Sequence, residues 1–298
     1  MTPSWTILLY HNISWEETPG SRGIEGATHP PDVLREHAAT LSRVGRLVSV
    51  EEGIRRLRSG DLPSPLFSFW FDDGLADVRR YALPILSEHG VTGAVSVCSR
   101  FVDRKELHWQ FKLSFLAHVD GLRILRSRLR KHGFMTGMSL KRFTMDHCSE
   151  AVLEAVSRVY EGCTTPEERA AALELFADRD GLRELQKAGW LVTNHTAAHY
   201  PVGEDSFIHK LEDQFAECAD ELGDLLAGSP EYWVLPCDRP MHRSPTLLEC
   251  FGQAGGDRYL ILVGNQRTEP DDLDRRLLFR VCAPACGGDE LLRVIQGK

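Results

Sequence analysis

The chain alternates short apolar runs with longer stretches in which apolar residues recur every three or four positions. The apolar runs predict strands: WTILLYH near the start, then PLFSFWF, VTGAVSV, GWLVTN, EYWVLP, RYLILV and RLLFRVC. Helical patterns lie between them. PPDVLREHAATLSRVG opens on prolines and places Val33, Leu34, His37, Leu41 and Val44 on one side. VSVEEGIRRLRSG reads as a short strand and a helix, VRRYALPILSEHG as a helix with an internal proline, and residues 207–228 as a strongly amphipathic helix. Strands alternating with helices predict an α/β fold built on a mainly parallel sheet. From about residue 103 to 188 the alternation stops. That stretch is charged and helix-forming, broken by HGFMTGMS and GCTTPEE, and reads as a helical insertion in a single domain spanning 1–298.

Composition narrows the class. The chain is 42% hydrophobic and 26% charged, as globular proteins are. No apolar run approaches the roughly 20 residues of a membrane span. The opening MTPSWTILLYHNIS lacks a basic region and a small-residue cleavage site, so no secretory signal is read there. A formal charge of -8 argues against a large nucleic-acid footprint, and the basic RILRSRLRKHG reads as a solvated helix face. The eight cysteines are scattered without a CxxC pair; Cys282 and Cys286, the closest two, read as an incidental pairing. With no export signal, free thiols in a cytoplasmic protein are expected.

Chemistry concentrates at strand ends. Asp72 and Asp73 follow LFSFWF, just before Gly74. Adjacent carboxylates repel and need a cation or hydrogen bonds to hold them. Strand alternation would send them to opposite sides, one to a metal and the other to a bound water. In TNHTAAHYP, His195 and His199 are four residues apart, and one helical turn would put both imidazoles on one face. Two histidines and one carboxylate form a facial set that leaves coordination positions open. In WVLPCDRP, a backbone N–H just after the proline could donate to an oxyanion. His11 ends the first strand, where a polar residue can simply cap it.

These motifs resemble those of the polysaccharide deacetylases, carbohydrate esterase family 4. FWFDDG resembles the family's TFDDG motif with Trp70 in the threonine place, and HTAAH fits its His-[Ser/Thr]-x-x-His motif. RRYALPILSEHGVTGAVSV and GLRELQKAGWLVTN are similar to the segments that follow the first motif and lead into the second. The resemblance implies a distorted (β/α) barrel of about seven parallel strands with its site at their C-terminal ends. It implies Zn²⁺, or Co²⁺, Ni²⁺ or Mn²⁺, held by Asp73, His195 and His199, with Asp72 as the base that deprotonates the metal-bound water. It also implies that the metal and the Cys237 N–H stabilise the oxyanion. Val234 stands where many members carry an arginine, so the sequence does not identify the partner that orients Asp72. The family's usual general acid is a histidine of a Leu-x-His motif near the C-terminus, and here no histidine follows His242. Leu9-Tyr10-His11 is such a motif at the other end, resembling a circularly permuted branch, and implies that His11 protonates the leaving amine.

The expected activity is metal-dependent removal of an N-acyl group, most simply acetyl, from an amino sugar. An amide or imide C–N hydrolase acting on a non-sugar is the alternative. A cytoplasmic setting and an insertion that emerges beside the metal both favour a small or carrier-linked substrate over a polymer. Trp70, Trp109, Tyr200 and Trp233 are candidates to stack on a sugar.

Overall fold

The computed structural model describes residues 3–15, 28–119, 121–131, 147–201, 210–228, 230–237, 251, 256–264 and 266–297. Among the described residues ten strands run in chain order: β1 (Trp5–Tyr10), β2 (Asn12–Ile13), β3 (Thr28–His29), β4 (Arg46–Leu47), β5 (Leu66–Phe71), β6 (Ala94–Val97), β7 (Leu191–Asn194), β8 (Glu231–Val234), β9 (Arg258–Val263) and β10 (Leu277–Cys282). The main sheet follows the order β1-β10-β9-β8-β7-β6-β5-β4, and a further β1–β5 pairing closes it into a parallel barrel. Strand β4 pairs with the first half of β5 and β6 with its end, so seven strands form the closed ring. The architecture is the distorted (β/α) barrel expected from the sequence.

Every residue of β1 and β5 is buried, as strands covered on both faces must be. Alternation divides them between two layers. Leu8, Tyr10, Phe67, Phe69 and Phe71 pack outward under the helices. Trp5, Ile7, Leu66 and Trp70 pack inward with Ala94, Tyr232, Val234, Tyr259, Ile261 and Leu278. Ser68 on the same face accepts the Trp5 indole N–H at 2.9 Å. Carried on to the C-terminal rim, this period of two aims His11, Asp72 and Arg280 into the barrel mouth.

The helices follow their sequence signals. Pro31 occupies the first turn of Pro31–Val44, and Leu34, His37 and Leu41 face the core. Ser49 caps Val50–Ser59 by accepting the Glu52 N–H. The proline of VRRYALPILSEHG breaks no ladder, because a wide π-helical turn over Val78–Ala82 precedes it and Pro84 falls in the first turn of Leu83–Glu88. The charged stretch holds the helices Trp109–His118, Gly121–Lys131, Glu150–Cys163 and Pro166–Leu173 around their own core of Phe111, Leu116, Leu125, Val152, Val156 and Phe176. The helix Arg179–Lys187 instead packs Leu182 and Leu185 under the barrel strands. Among the described residues no helix is long and apolar enough to cross a membrane. The seven described cysteines are free, and Cys250 lies outside the described residues.

Candidate active site

Register levels the functional strand ends. Tyr10 pairs with Phe71, and the Asp72 N–H donates to the Tyr10 carbonyl at 2.9 Å, so His11 and Asp72 leave neighbouring strands side by side. Val97 pairs with Asn194, and the His195 N–H reaches the Val97 carbonyl at 2.9 Å. Asp73 and Gly74 then turn the chain sharply with φ of 72° and 68°. A side chain at position 74 would meet Val97 Cγ1 at 3.0 Å, so glycine answers both the conformation and the space.

Asp73 and the two histidines converge in a buried centre. Asp73 Oδ1 lies 3.2 Å from His199 Nε2 and 3.6 Å from His195 Nε2. The three residues are 2%, 5% and 1% exposed respectively, in the order Asp73, His199, His195, so water does not screen their interactions. His195 Nδ1 is 2.9 Å from the Val234 carbonyl, which can only accept, so Nδ1 carries a proton and the neutral ring presents its Nε2 lone pair towards Asp73. Burial lowers the His195 pKa, but Asp72 and Asp73 raise it overall. Asp73 Oδ1 has no hydrogen-bond partner among the described residues. A buried carboxylate oxygen bordered by two imidazole nitrogens calls for positive charge between them, which a divalent ion or a proton on an imidazole supplies. Burial pushes His199 down, yet Cys237 and Asp73 lift it to about 9, so without an ion the imidazole holds a proton that metal binding displaces. Burial likewise raises the Asp73 carboxyl, but His199 and His195 draw it well below the usual carboxylate range. The donor set of one carboxylate and two imidazoles suits Zn²⁺ or a related divalent ion.

Asp72 is oriented by a different set of groups. Arg280 Nη1 donates to its Oδ1 at 2.6 Å, and the Ser96 hydroxyl donates to the same oxygen. Its Oδ2 is 3.8 Å from His195 Nε2. Burial pushes the carboxyl up, but Arg280, His195 and His11 hold it below its ordinary range, so it is ionised at neutral pH. Arg280 is fully buried, with its guanidinium carbon 5.5 Å from the Trp70 ring centre. It answers the question left by Val234: the arginine arrives from β10, 208 residues from Asp72 in sequence. The signal was present as a charged residue inside the apolar run LLFRVC.

His11 is partly exposed at the end of β1. Burial lowers its pKa against the pull of the Asp73 and Asp72 carboxylates, so it faces the same centre electrostatically. Cys237, beyond β8, adopts φ 51°, and its sulfur lies 3.8 Å from His199 Nδ1 and 3.1 Å from the Gln110 amide nitrogen. Asp238, Arg239, Pro240 and His242 lie outside the described residues.

Three sequence readings change. HTAAH is not a helical turn; it is an irregular loop after β7, with Thr196 and His199 at φ 70° and 54°. Local side-chain bonds win over helix there: Asn194 Oδ1 accepts the Thr196 N–H at 2.9 Å, and Thr196 Oγ1 accepts the His199 N–H at 3.1 Å. The imidazoles still meet, with ring centres 4.6 Å apart. Asp73 lies beyond the strand in the left-handed region, so strand alternation does not set its direction, and an oxygen of each aspartate lies within 3.8 Å of His195 Nε2. Trp70 and Trp109 are buried, Trp70 beneath Arg280 and Trp109 donating its indole N–H to the His199 carbonyl at 3.1 Å, so neither offers a face to a sugar.

Sequence reasoning missed His108. It is fully buried at the head of the helix Trp109–His118, and ligand-capable atoms of Asp73, His108 and His199 lie within 4.8 Å of one another. Its ring centre is 4.3 Å from that of His199. The preceding charged stretch gave no strand-end signal to mark it.

A model of the polysaccharide deacetylase family matches residues 59–248. No curated protein sequence matches the chain. Among solved structures, the fold is similar to the deacetylase PplD of Streptococcus pyogenes in complex with acetate, at 16% identity and a TM-score of 0.58 over 99% of both chains. It is similar to IcaB from Ammonifex degensii, at 16% identity and a TM-score of 0.61 over 99% of this chain and 97% of that one. A de-N-acetylase from Aggregatibacter actinomycetemcomitans is 13% identical with a TM-score of 0.59, over 98% and 99% of the two chains.

Proposed function

Because the chain belongs to the polysaccharide deacetylase family, we propose that it is a metal-dependent hydrolase that removes an N-acetyl group from an amino sugar. The observation that carries this reading is Asp73 Oδ1, buried, without a hydrogen-bond partner among the described residues, and faced by His195 Nε2 and His199 Nε2. Asp73, His195 and His199 would hold a divalent ion. Such an ion, when bound, supplies Lewis acidity that acidifies a water and polarises a carbonyl.

The chain's own groups divide the remaining work. Asp72, ionised and fixed by Arg280 and Ser96, takes the proton of the attacking water. His11, level with Asp72 on the neighbouring strand, gives a proton to the departing nitrogen. The Cys237 N–H, presented by a left-handed residue after Pro236, donates to the oxygen that gains charge during attack. The free cysteines fit a reducing compartment, and we assign the enzyme to the cytoplasm with a small or carrier-linked substrate.

The test measures acetate release from N-acetylglucosamine conjugates beside ring opening of a cyclic imide. Release of acetate, abolished by chelation and restored by a divalent ion, is expected. Ring opening without acetate release would transfer the same site to the non-sugar amide or imide reading.

A further inference from the structure

His108 is the one fully buried imidazole at this centre that the proposed mechanism leaves without a task. Its Nδ1 accepts the Gln110 backbone N–H at 2.9 Å, capping the helix Trp109–His118. A nitrogen that accepts a hydrogen bond carries no proton, so the neutral ring carries its hydrogen on Nε2. That N–H has no acceptor among the described residues. A buried donor left unpaired is costly, and folded proteins seldom keep one without a use.

The surroundings restrict what the use can be. The ring lies against His199, with its other neighbours Phe101, Trp109 and Phe111 offering aromatic surface. Ligand-capable atoms of Asp73 and His199 are within 4.8 Å of a His108 nitrogen, too loose a limit to establish a hydrogen bond and close enough to border the same small space. Metal ligation through Nε2 would need the lone pair there and the proton on Nδ1, where the Gln110 N–H already points. Among the described residues no acceptor is bonded to this N–H, which leaves it available to an occupant of the site.

We propose that His108 Nε2–H is a hydrogen-bond donor to the acyl oxygen of the substrate and to the carboxylate of the released acid. This rests on the deacetylase reading above. An amide carbonyl gains negative charge as water adds to its carbon, and acetate retains a full charge, so both strengthen a bond from a fixed, dry N–H. The helix cap fixes the donor: the same ring is tied at Nδ1 and free at Nε2. The helical insertion thereby contributes a group to the reaction, in addition to the wall expected of it.

His108→Asn separates the two roles, because asparagine keeps a capping acceptor and loses the Nε2 donor. Each protein is loaded with Co²⁺, whose visible spectrum reports on the centre, and titrated with acetate. We expect equal Co²⁺ uptake, an acetate midpoint raised about tenfold or more in His108→Asn, and kcat lowered on the order of 10²-fold. Reduced Co²⁺ uptake would make His108 a metal ligand and overturn the proposal. An unchanged acetate midpoint and kcat would reduce it to a helix cap. Wild-type protein that binds Co²⁺, releases acetate from substrate and yet shows no acetate response would refute this inference alone. Wild-type protein with neither acetate response nor deacetylation would refute both readings. If His108→Asn is unstable, His108→Gln decides, since its amide N–H reaches towards the Nε2 position. Loss of the acetate response there, with Co²⁺ uptake intact, overturns the proposal.

Discussion

Replacing Arg280 by methionine removes a charge from the middle of the barrel while keeping much of the side-chain volume. Arg280 is fully buried and Asp72 is 3% exposed, with 2.6 Å between Nη1 and Oδ1, so the carboxylate left behind has no solvent to turn to. Breaking a buried pair in this way costs about 3–5 kcal/mol. The fold can limit that loss by protonating Asp72, and since a pKa unit is about 1.36 kcal/mol, a rise of roughly two to three units would absorb most of it. In the wild type the Asp72 pKa lies below its unfolded value, so its stabilising contribution is present at neutral pH and fades as pH falls through the folded pKa. In Arg280→Met burial dominates, the folded pKa rises above the unfolded one, and ionisation now destabilises the fold. The stability gap between the proteins should therefore be widest near neutral pH and narrow as pH falls. The variant's penalty is gone only below the unfolded value of 3.8, where its carboxyl is protonated in both states, and the wild-type contribution is lost at still lower pH. Denaturant unfolding at several pH values measures the gap, and the pH profile of kcat/KM should show its acidic limb moved upward. Adding Asp72→Asn to Arg280→Met should recover part of the lost stability. A gap independent of pH, with an unmoved acidic limb, would show that Arg280 acts through packing on Trp70 and does not set the charge of Asp72.

His11→Ala should retain the metal and fold while losing about 10²–10⁴-fold in kcat on amides, the span of general acid catalysis, and much less on an activated ester whose leaving group needs no proton. Equal losses on both substrates would make His11 a structural strand cap. Acetate release should be fastest on short N-acetylglucosamine conjugates and fall with oligomer length and on polymeric chitin; faster turnover of the polymer would refute the small-substrate assignment.

The strands and the two acidic and histidine motifs were legible in sequence because both depend on local order. A barrel strand covered on both faces must be continuously apolar, and LFSFWF interrupted by Asp72 and Asp73 stands out for that reason. The backbone between the histidines was not legible: a spacing of four suits a helix, and only the bonds from Asn194 and Thr196 select the left-handed loop instead. Arg280 was missed because its partner is fixed by barrel closure, which brings β1 between β10 and β5. His108 was missed for a related reason. Nothing in a charged helical stretch shows that the residue capping the helix Trp109–His118 will dock against His199, a contact accompanied by the Trp109 indole on the His199 carbonyl.

The central claim is that Asp73, His195 and His199 bind the catalytic ion while Asp72 moves the proton. Its most direct test is elemental analysis of the wild type, His195→Ala and Asp72→Asn, each purified under mild conditions and assayed for acetate release on the same sample. The account predicts a divalent ion in the wild type and in Asp72→Asn, its loss from His195→Ala, and turnover in the wild type alone. A wild-type protein without metal that keeps full activity after chelation, or an Asp72→Asn variant that turns over at the wild-type rate, would contradict it.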